Sequence, residues 1–249
     1  VNDVANVLLA AGGSPIMSDD ADDVEDITSI CGGLNINIGT LNKNTIPSMF
    51  LAGKKANALG HIVLLDPVGA GASRLRTDTA NRLMQEVRFD AVRGNISEIK
   101  ALCTGSGSTK GVDADAVDAV TEANLGNGVQ LVKTFAAQTG CIIAVTGAID
   151  LVSDGERCWC IRNGRAEMSR ITGTGCQLSA LMTAFLVANP DRKLDAAAAA
   201  VCMMGLAGEI GWANMQPGDG NSTYRNRIID AIFNMTGDAL EEGAKYELR

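Results

Sequence analysis

The run Ile171-Thr172-Gly173-Thr174-Gly175-Cys176 lies directly ahead of a long apolar stretch, Leu178 to Ala188. Its glycines predict a small turn that opens a helix. The first turn of a helix exposes unpaired backbone N–H groups and a partial positive charge. Glycine lets that backbone come close to an anion such as a phosphate. Gly173, Thr174, Gly175 and Cys176 are therefore a candidate anion hole, and Cys176 is placed to act on whatever the anion is attached to. Phosphoryl transfer is the chemistry this favours. Cysteine is also a common small buried residue. Its place at a helix start, where a thiol pKa is expected to fall, favours the chemical role.

Three strand ends carry further polar groups. Asp66 closes the apolar run His61-Ile62-Val63-Leu64-Leu65 and leads into Pro67-Val68-Gly69-Ala70-Gly71-Ala72. The glycines alone predict only a turn, but an Asp there can neutralise a magnesium ion or hold it through water. In Arg93-Gly94-Asn95-Ile96-Ser97-Glu98, Asn95 is a good N-cap and Glu98 its reciprocal partner. Capping alone accounts for that pair. The functional reading puts Glu98 near the metal and the forked, always-charged Arg93 on phosphates. Thr146-Gly147 ends a third strand, where the hydroxyl can meet nucleotide oxygen; simple loop termination is the plainer reading. Gly105-Ser106-Gly107-Ser108-Thr109-Lys110-Gly111 looks like a phosphate loop but fails the pattern, since Thr109 precedes Lys110 and Gly111 follows it. It reads as an exposed loop.

The elements that must position these residues alternate. Helix is expected from Asn2 or Asp3 to Ala10, a short strand at Ser14 to Met17, and a solvated acidic helix face between Asp19 and Asp26. Strand is expected at Leu34 to Gly39, His61 to Asp66, up to Gly94, and Cys141 to Thr146. Helices are expected at Thr45 to Leu59, Thr77 to Val87, from Asn95, and Gly128 to Thr139. Leu151 to Ile161 suggests a hairpin. The remainder reads as helical: Gly175 to Val187, Ala196 to Met215 and Tyr224 to Met235. The pattern predicts a three-layer α/β fold, with a mainly parallel central sheet and helices on both faces. Ligands of such sheets bind at the carboxyl ends of the strands. No linker or repeat divides the chain, so 1–249 reads as a single domain.

With 249 residues, 46% of them hydrophobic and 20% charged, the chain can build a large core. The net charge of −8 and a pI near 4.7 argue against nucleic acid and anionic membrane surfaces as partners. A nucleotide remains compatible, because local N–H groups and a few cations suffice to hold phosphates. The seven cysteines form no C-x-x-C pair, and His61 is the lone histidine, which leaves a zinc or redox site with little support. Cys158-Trp159-Cys160 has the spacing of one strand face and reads as buried packing. Reduced cysteines fit a cytoplasmic protein. No cleavable signal and no 18-residue apolar span stand out, and the sequence begins at Val1 without an initiator Met.

In this order, the junctions resemble those of the hydroxyethylthiazole kinase family within the ribokinase-like superfamily. The resemblance rests on Gly13-Ser14-Pro15-Ile16-Met17, Asn35-Ile36-Asn37-Ile38-Gly39-Thr40-Leu41, Asp66 to Ala72, Arg93 to Ile99, Val145-Thr146-Gly147 and Thr172 to Cys176. Cys176 is its most specific part, because most of the superfamily carries Asp there. The resemblance implies ATP as co-substrate, Mg2+ as cofactor and the hydroxyl of 4-methyl-5-(2-hydroxyethyl)thiazole as acceptor, in thiamine salvage. By carry-over, Met17 and Gly173 contact the thiazole, Arg93 and Thr146 contact ATP, Asp66 and Glu98 serve magnesium, and Cys176 lies beside the reacting hydroxyl. A homotrimer with sites at subunit junctions is implied too. So is a family segment upstream of Val1, with a strand and polar residues near the thiazole pocket, that this sequence lacks. The alternatives are a ribokinase-like kinase for another small alcohol, such as a hydroxymethylpyrimidine, and a nucleotide- or thiazole-binding module without turnover.

Overall fold

The computed structural model describes residues 1–105 and 119–249. The expected loop at Gly105 to Val112 lies, beyond its first residue, outside the described residues. In chain order the elements are α1 (Asn2–Ala10), α2 (Val24–Ile30), β1 (Gly33–Asn37), α3 (Thr45–Leu59), β2 (Ile62–Asp66) and α4 (Arg74–Glu86). Then come β3 (Ala91–Asn95), α5 (Ile96–Gly105), α6 (Leu125–Thr139), β4 (Ile142–Thr146), β5 (Asp150–Ser153) and β6 (Cys158–Ile161). A 3-10 turn at Ala166–Arg170 leads to α7 (Thr174–Ala188), α8 (Lys193–Ala213), α9 (Asn221–Asn234), α10 (Gly237–Gly243) and β7 (Tyr246–Leu248).

Among the described residues the strands form one seven-stranded sheet whose order follows the chain. β1 to β4 are parallel and β4 to β7 pair antiparallel, so the sheet is mixed. Right-handed crossovers that step steadily in one direction must all lie on one face. Accordingly, residues of α3 to α6 pack with Val63, Leu65, Val92, Ile143 and Val145. The opposite face, Ile62, Leu64, Ala91, Ile142 and Ala144, is covered by α1, α7, α8 and α9. β2 is buried along its whole length, which is why it reads as an unbroken apolar run. Each fully buried aliphatic side chain there contributes roughly 1.5–3 kcal/mol.

Strand alternation then fixes where the polar ends point. Asp66 follows Ile62 and Leu64 by steps of two, so it faces the α7 layer. α7 runs antiparallel to β1 and β2. Its Ser179 meets Asp66 at the carboxyl end of β2, while Thr183 and Val187 lie over Gly33 at the start of β1. The helix N-terminus is thereby carried over the carboxyl ends of the strands.

Several expectations need correction. Ser14 to Met17 is irregular, not a strand, and most of the acidic run precedes α2 rather than lying in it, with only Glu25 and Asp26 in the first helical turn. α4 begins three residues before Thr77, where Ser73 caps it by accepting from the Arg76 amide. Lys193–Ala213 is long and apolar enough to cross a membrane, with a mean hydropathy of 1.4, but 72% of that window is buried inside the fold. It is a core helix made apolar on all sides by neighbours on all sides. The 3-10 turn, α10 and β7 had no forecast. Cys158 and Cys160 are fully buried on one strand face.

Candidate active site

The site is assembled from the ends of β1 to β4 and the start of α7. Asp66 is fully buried. Its Oδ2 accepts from Asn37 Nδ2 at 2.7 Å and from Ser179 Oγ at 2.9 Å. Its Oδ1 has no partner and lies 3.8 Å from Arg93 Nη1. Burial raises its pKa above the ordinary carboxylate value, and the Glu98 charge adds to the rise; Arg93, Ser179 and Asn37 oppose it. A buried acid with one open oxygen next to a cation is suited to a cationic or proton-bearing ligand.

Arg93 Nη2 donates to Thr146 Oγ1 at 2.6 Å. The Gly175 backbone lies so close that an added Cβ would overlap the guanidinium. Glycine is required there, and it brings Arg93 onto the first turn of α7. Arg93 Nε is buried without a partner. Cation and helix N-terminus thus converge beside Asp66.

α7 starts at Gly173, whose φ of +81° suits glycine, and no side chain caps the helix. Nothing lies within 4 Å of where a Gly173 side chain would be. The first N–H groups of the helix have no intrahelical partner. Cys176 is half-buried one turn ahead of Ser179. Burial first, then the neighbouring Asp66 charge, push its thiol pKa up; Asn37 and Arg93 oppose this more weakly. The expected depression by the helix N-terminus is overturned, because desolvation and a nearby carboxylate outweigh it. At neutral pH Cys176 is a thiol, not a thiolate.

Asn95 and Glu98 form the reciprocal cap: Glu98 N donates to Asn95 Oδ1 at 2.9 Å and Asn95 N to Glu98 Oε2 at 2.8 Å. Glu98 Oε1 also accepts from Gly69 N at 2.8 Å, tying the β3–α5 junction to the β2–α4 loop. No cluster of three or more metal-binding side chains occurs among the described residues. Asp66 Oδ1 is the open donor atom, with Glu98 close enough to raise its pKa. Two carboxylates fit magnesium, which keeps several waters and uses few protein ligands beside phosphates.

An ion pair, a hydrogen bond and a close contact thus bring together Asp66, Arg93, Thr146 and Gly175, and Glu98 and Cys176 lie near enough to Asp66 to interact with it electrostatically. Met17 stands apart from them on the irregular segment after α1, 47% exposed. Three residues escaped the sequence reading. Asn37 ends β1 in register with Asp66; the signal was a polar residue closing an alternating strand. Ser179 is a hydroxyl in an apolar helical run, one turn past Cys176. Asp150 accepts from Gly147 N at 2.8 Å and braces the turn after Thr146. Although the residue keeps some exposure, its carboxyl is enclosed, and desolvation pushes its pKa up to about 7 against the pull of Gly147 N–H and Arg93.

Fold and site together define a small-molecule kinase of the ribokinase-like α/β class. The fold matches that of pyridoxal kinase from Staphylococcus aureus in complex with AMP-PCP and pyridoxal, with a TM-score of 0.60 at 16% identity over 99% of this chain and 91% of that one. The structure of hydroxyethylthiazole kinase from Pyrococcus horikoshii OT3 is more similar: TM-score 0.88 and 30% identity over 100% of this chain and 89% of that one. A sequence model described as the hydroxyethylthiazole kinase family matches residues 1–238. Hydroxyethylthiazole kinase of Clostridium acetobutylicum is 56% identical over 247 residues, 99% of this chain and 90% of that protein. The one from Ruminiclostridium cellulolyticum is 46% identical over 98% of this chain and 88% of its own length. The chain belongs to the hydroxyethylthiazole kinase family.

Proposed function

We propose that this chain transfers the γ-phosphoryl group of ATP to the hydroxyl of 4-methyl-5-(2-hydroxyethyl)thiazole, a thiamine-salvage reaction. Family membership supports the activity. The observation that carries the mechanism is the uncapped start of α7, open to space at Gly173 and joined by Arg93 and Asp66.

Phosphoryl transfer needs alignment and charge neutralisation more than covalent help. The N–H groups of Gly173 to Cys176 receive the moving phosphoryl group. Arg93, held by Thr146, carries the nucleotide phosphates, and Thr146 contributes its own oxygen to the nucleotide. Asp66 and Glu98 are the residues that hold Mg2+, which supplies neutralisation of phosphate charge when bound. Met17 and Gly173 border the thiazole. Cys176 lies beside the acceptor hydroxyl and shapes the site as a neutral thiol; its raised pKa makes it a poor base, and a loose transition state demands little of one. The working form is a cytoplasmic homotrimer in which each 1–249 unit is a single domain, with neither nucleic acid nor a membrane as partner.

The test is incubation with ATP, Mg2+ and the thiazole alcohol, with mass detection of the phosphate ester. ADP release coupled to ester formation is expected. Folded protein that binds the alcohol yet makes no ester overturns the proposal in favour of a binding module. Ester formation confined to another alcohol, such as a hydroxymethylpyrimidine, overturns the acceptor assignment alone.

A further inference from the structure

Arg76 lies outside every residue set discussed so far, yet its guanidinium spans two of the loops that frame the site. It emerges from the first turn of α4. Nη1 donates to Val68 O at 2.8 Å, in the β2–α4 loop, and Nη2 donates to Gly39 O at 2.9 Å, in the β1–α3 loop. The fork therefore reaches one carbonyl in each loop, and among the described residues no carboxylate pairs with it. The contact is close: a Cβ on Gly69 would come to 2.7 Å from Nη1. A rigid planar fork fixes the separation of two acceptors in a way that the point charge of a lysine does not.

Gly39 is held from its other side as well. Its N–H donates to Asn37 Oδ1 at 2.8 Å, while Asn37 Nδ2 donates to Asp66 Oδ2 at 2.7 Å. A continuous path thus runs from Arg76 through Gly39 and Asn37 to the buried acid. Val68 leads a second path, because the next residue, Gly69, donates to Glu98. Asn37 has a single productive amide orientation here, with oxygen toward Gly39 and nitrogen toward Asp66. Releasing Gly39 frees that amide to turn.

We propose that Arg76 is a positioning residue for phosphoryl transfer: it latches the β1–α3 loop to the β2–α4 loop and, through Gly39 and Asn37, sets the place of Asp66. The inference rests on the kinase reading for its kinetic arm only.

The experiment compares wild type with Arg76→Lys, Arg76→Met and Arg76→Ala, each checked for fold by circular dichroism and normalised to folded protein. The expected kinetic result is a fall in kcat of about tenfold or more in the Lys and Met variants alike, with KM for ATP little changed, as for a small misplacement of reacting groups. Guanidinium ion, but not ammonium, restores part of kcat to Arg76→Ala. A second readout needs no turnover: hydrogen–deuterium exchange of the Gly39 amide, which donates to Asn37 Oδ1, becomes several-fold faster in Arg76→Lys once the two loops part. Wild-type kcat in folded Arg76→Lys, or unchanged exchange at Gly39, overturns the proposal. If Arg76→Met does not fold, Arg76→Lys decides. If the wild type makes no ester, the kinase reading fails while the exchange arm still judges the latch.

Discussion

The two ends of the sheet treat their charges in opposite ways. At the amino end, Asp90 uses both oxygens, accepting from Lys193 Nζ at 2.6 Å and from Val63 N at 2.8 Å. Nearby, Arg157 pairs with Asp154 and Arg192 with Asp195. Lys193, Arg157, Asp154, Arg192 and Asp195 line a cavity of about 410 Å³, yet each of these charges is already paired. At the carboxyl end, Asp66 Oδ1 and Arg93 Nε are buried without partners, and α7 begins uncapped. Such unmet polar groups cost free energy in a folded protein. Their concentration beneath one helix start supports the proposed ligand site there. Away from that helix start, His61 Nδ1 at the amino end and Arg227 Nε on α9 are also buried without hydrogen-bond partners.

The contrast breaks if the carboxyl-end charges prove to be structural only. Arg93→Ala carries the largest expected effect: kcat/KM falls by about 10²–10³-fold, the scale for losing a group that neutralises transition-state charge. Steady-state kinetics on protein shown to be folded decides it. A loss explained wholly by unfolding would place Arg93 among the structural ion pairs. Cys176→Ala comes next. A neutral thiol that shapes the site predicts measurable turnover, with a drop well short of that seen for Arg93→Ala. Complete loss with the fold intact would make the thiol chemically essential.

Much of this contrast was legible in the sequence, for a physical reason. β2 must be apolar wherever a neighbour covers it, so the first polar residue, Asp66, announces the end of the strand. The reciprocal spacing of Asn95 and Glu98, and the glycines before α7, are likewise local signals with local causes. What stayed hidden was relational. That Ser179 reaches Asp66, or that Arg93 rests on Gly175, follows from α7 lying antiparallel across β1 and β2, which no single segment encodes. The thiol pKa was misjudged for the same reason. The helix start was visible, but the burial and the Asp66 charge that outweigh it come from distant parts of the chain. Ser14 to Met17 misled because four residues ending in an apolar pair carry no period long enough to separate a strand from extended coil.

From the other side, the comparison is sharpened by Asp90→Asn. Removing one half of a partly exposed ion pair should lower stability by about 1 kcal/mol, seen as a small drop in Tm. Because those charges are saturated at the far end of the sheet, kcat/KM of the folded fraction should stay at the wild-type value. A loss of activity approaching that of Arg93→Ala would mean that the two ends are not independent.

A stability test without a large expected change in activity concerns Asp150, which braces the turn behind Thr146. Its folded pKa of about 7 lies above the ordinary value of 3.8. The folded state therefore holds a proton that the unfolded chain has already released. The stability this contributes is fully present below about pH 4 and is lost as pH rises through about pH 7. Asp150→Asn stays neutral throughout and keeps an oxygen for Gly147 N–H. The Tm of the wild type should thus fall relative to Asp150→Asn between about pH 4 and about pH 7. Asp66, also raised, is common to both proteins and cancels in the difference. Parallel Tm curves would mean that water reaches the Asp150 carboxylate, and that the turn presenting Thr146 is held by an ordinary ionised acid. Convergence at low pH with divergence at high pH would place Asp150 with the strained carboxyl-end charges, although it touches no substrate.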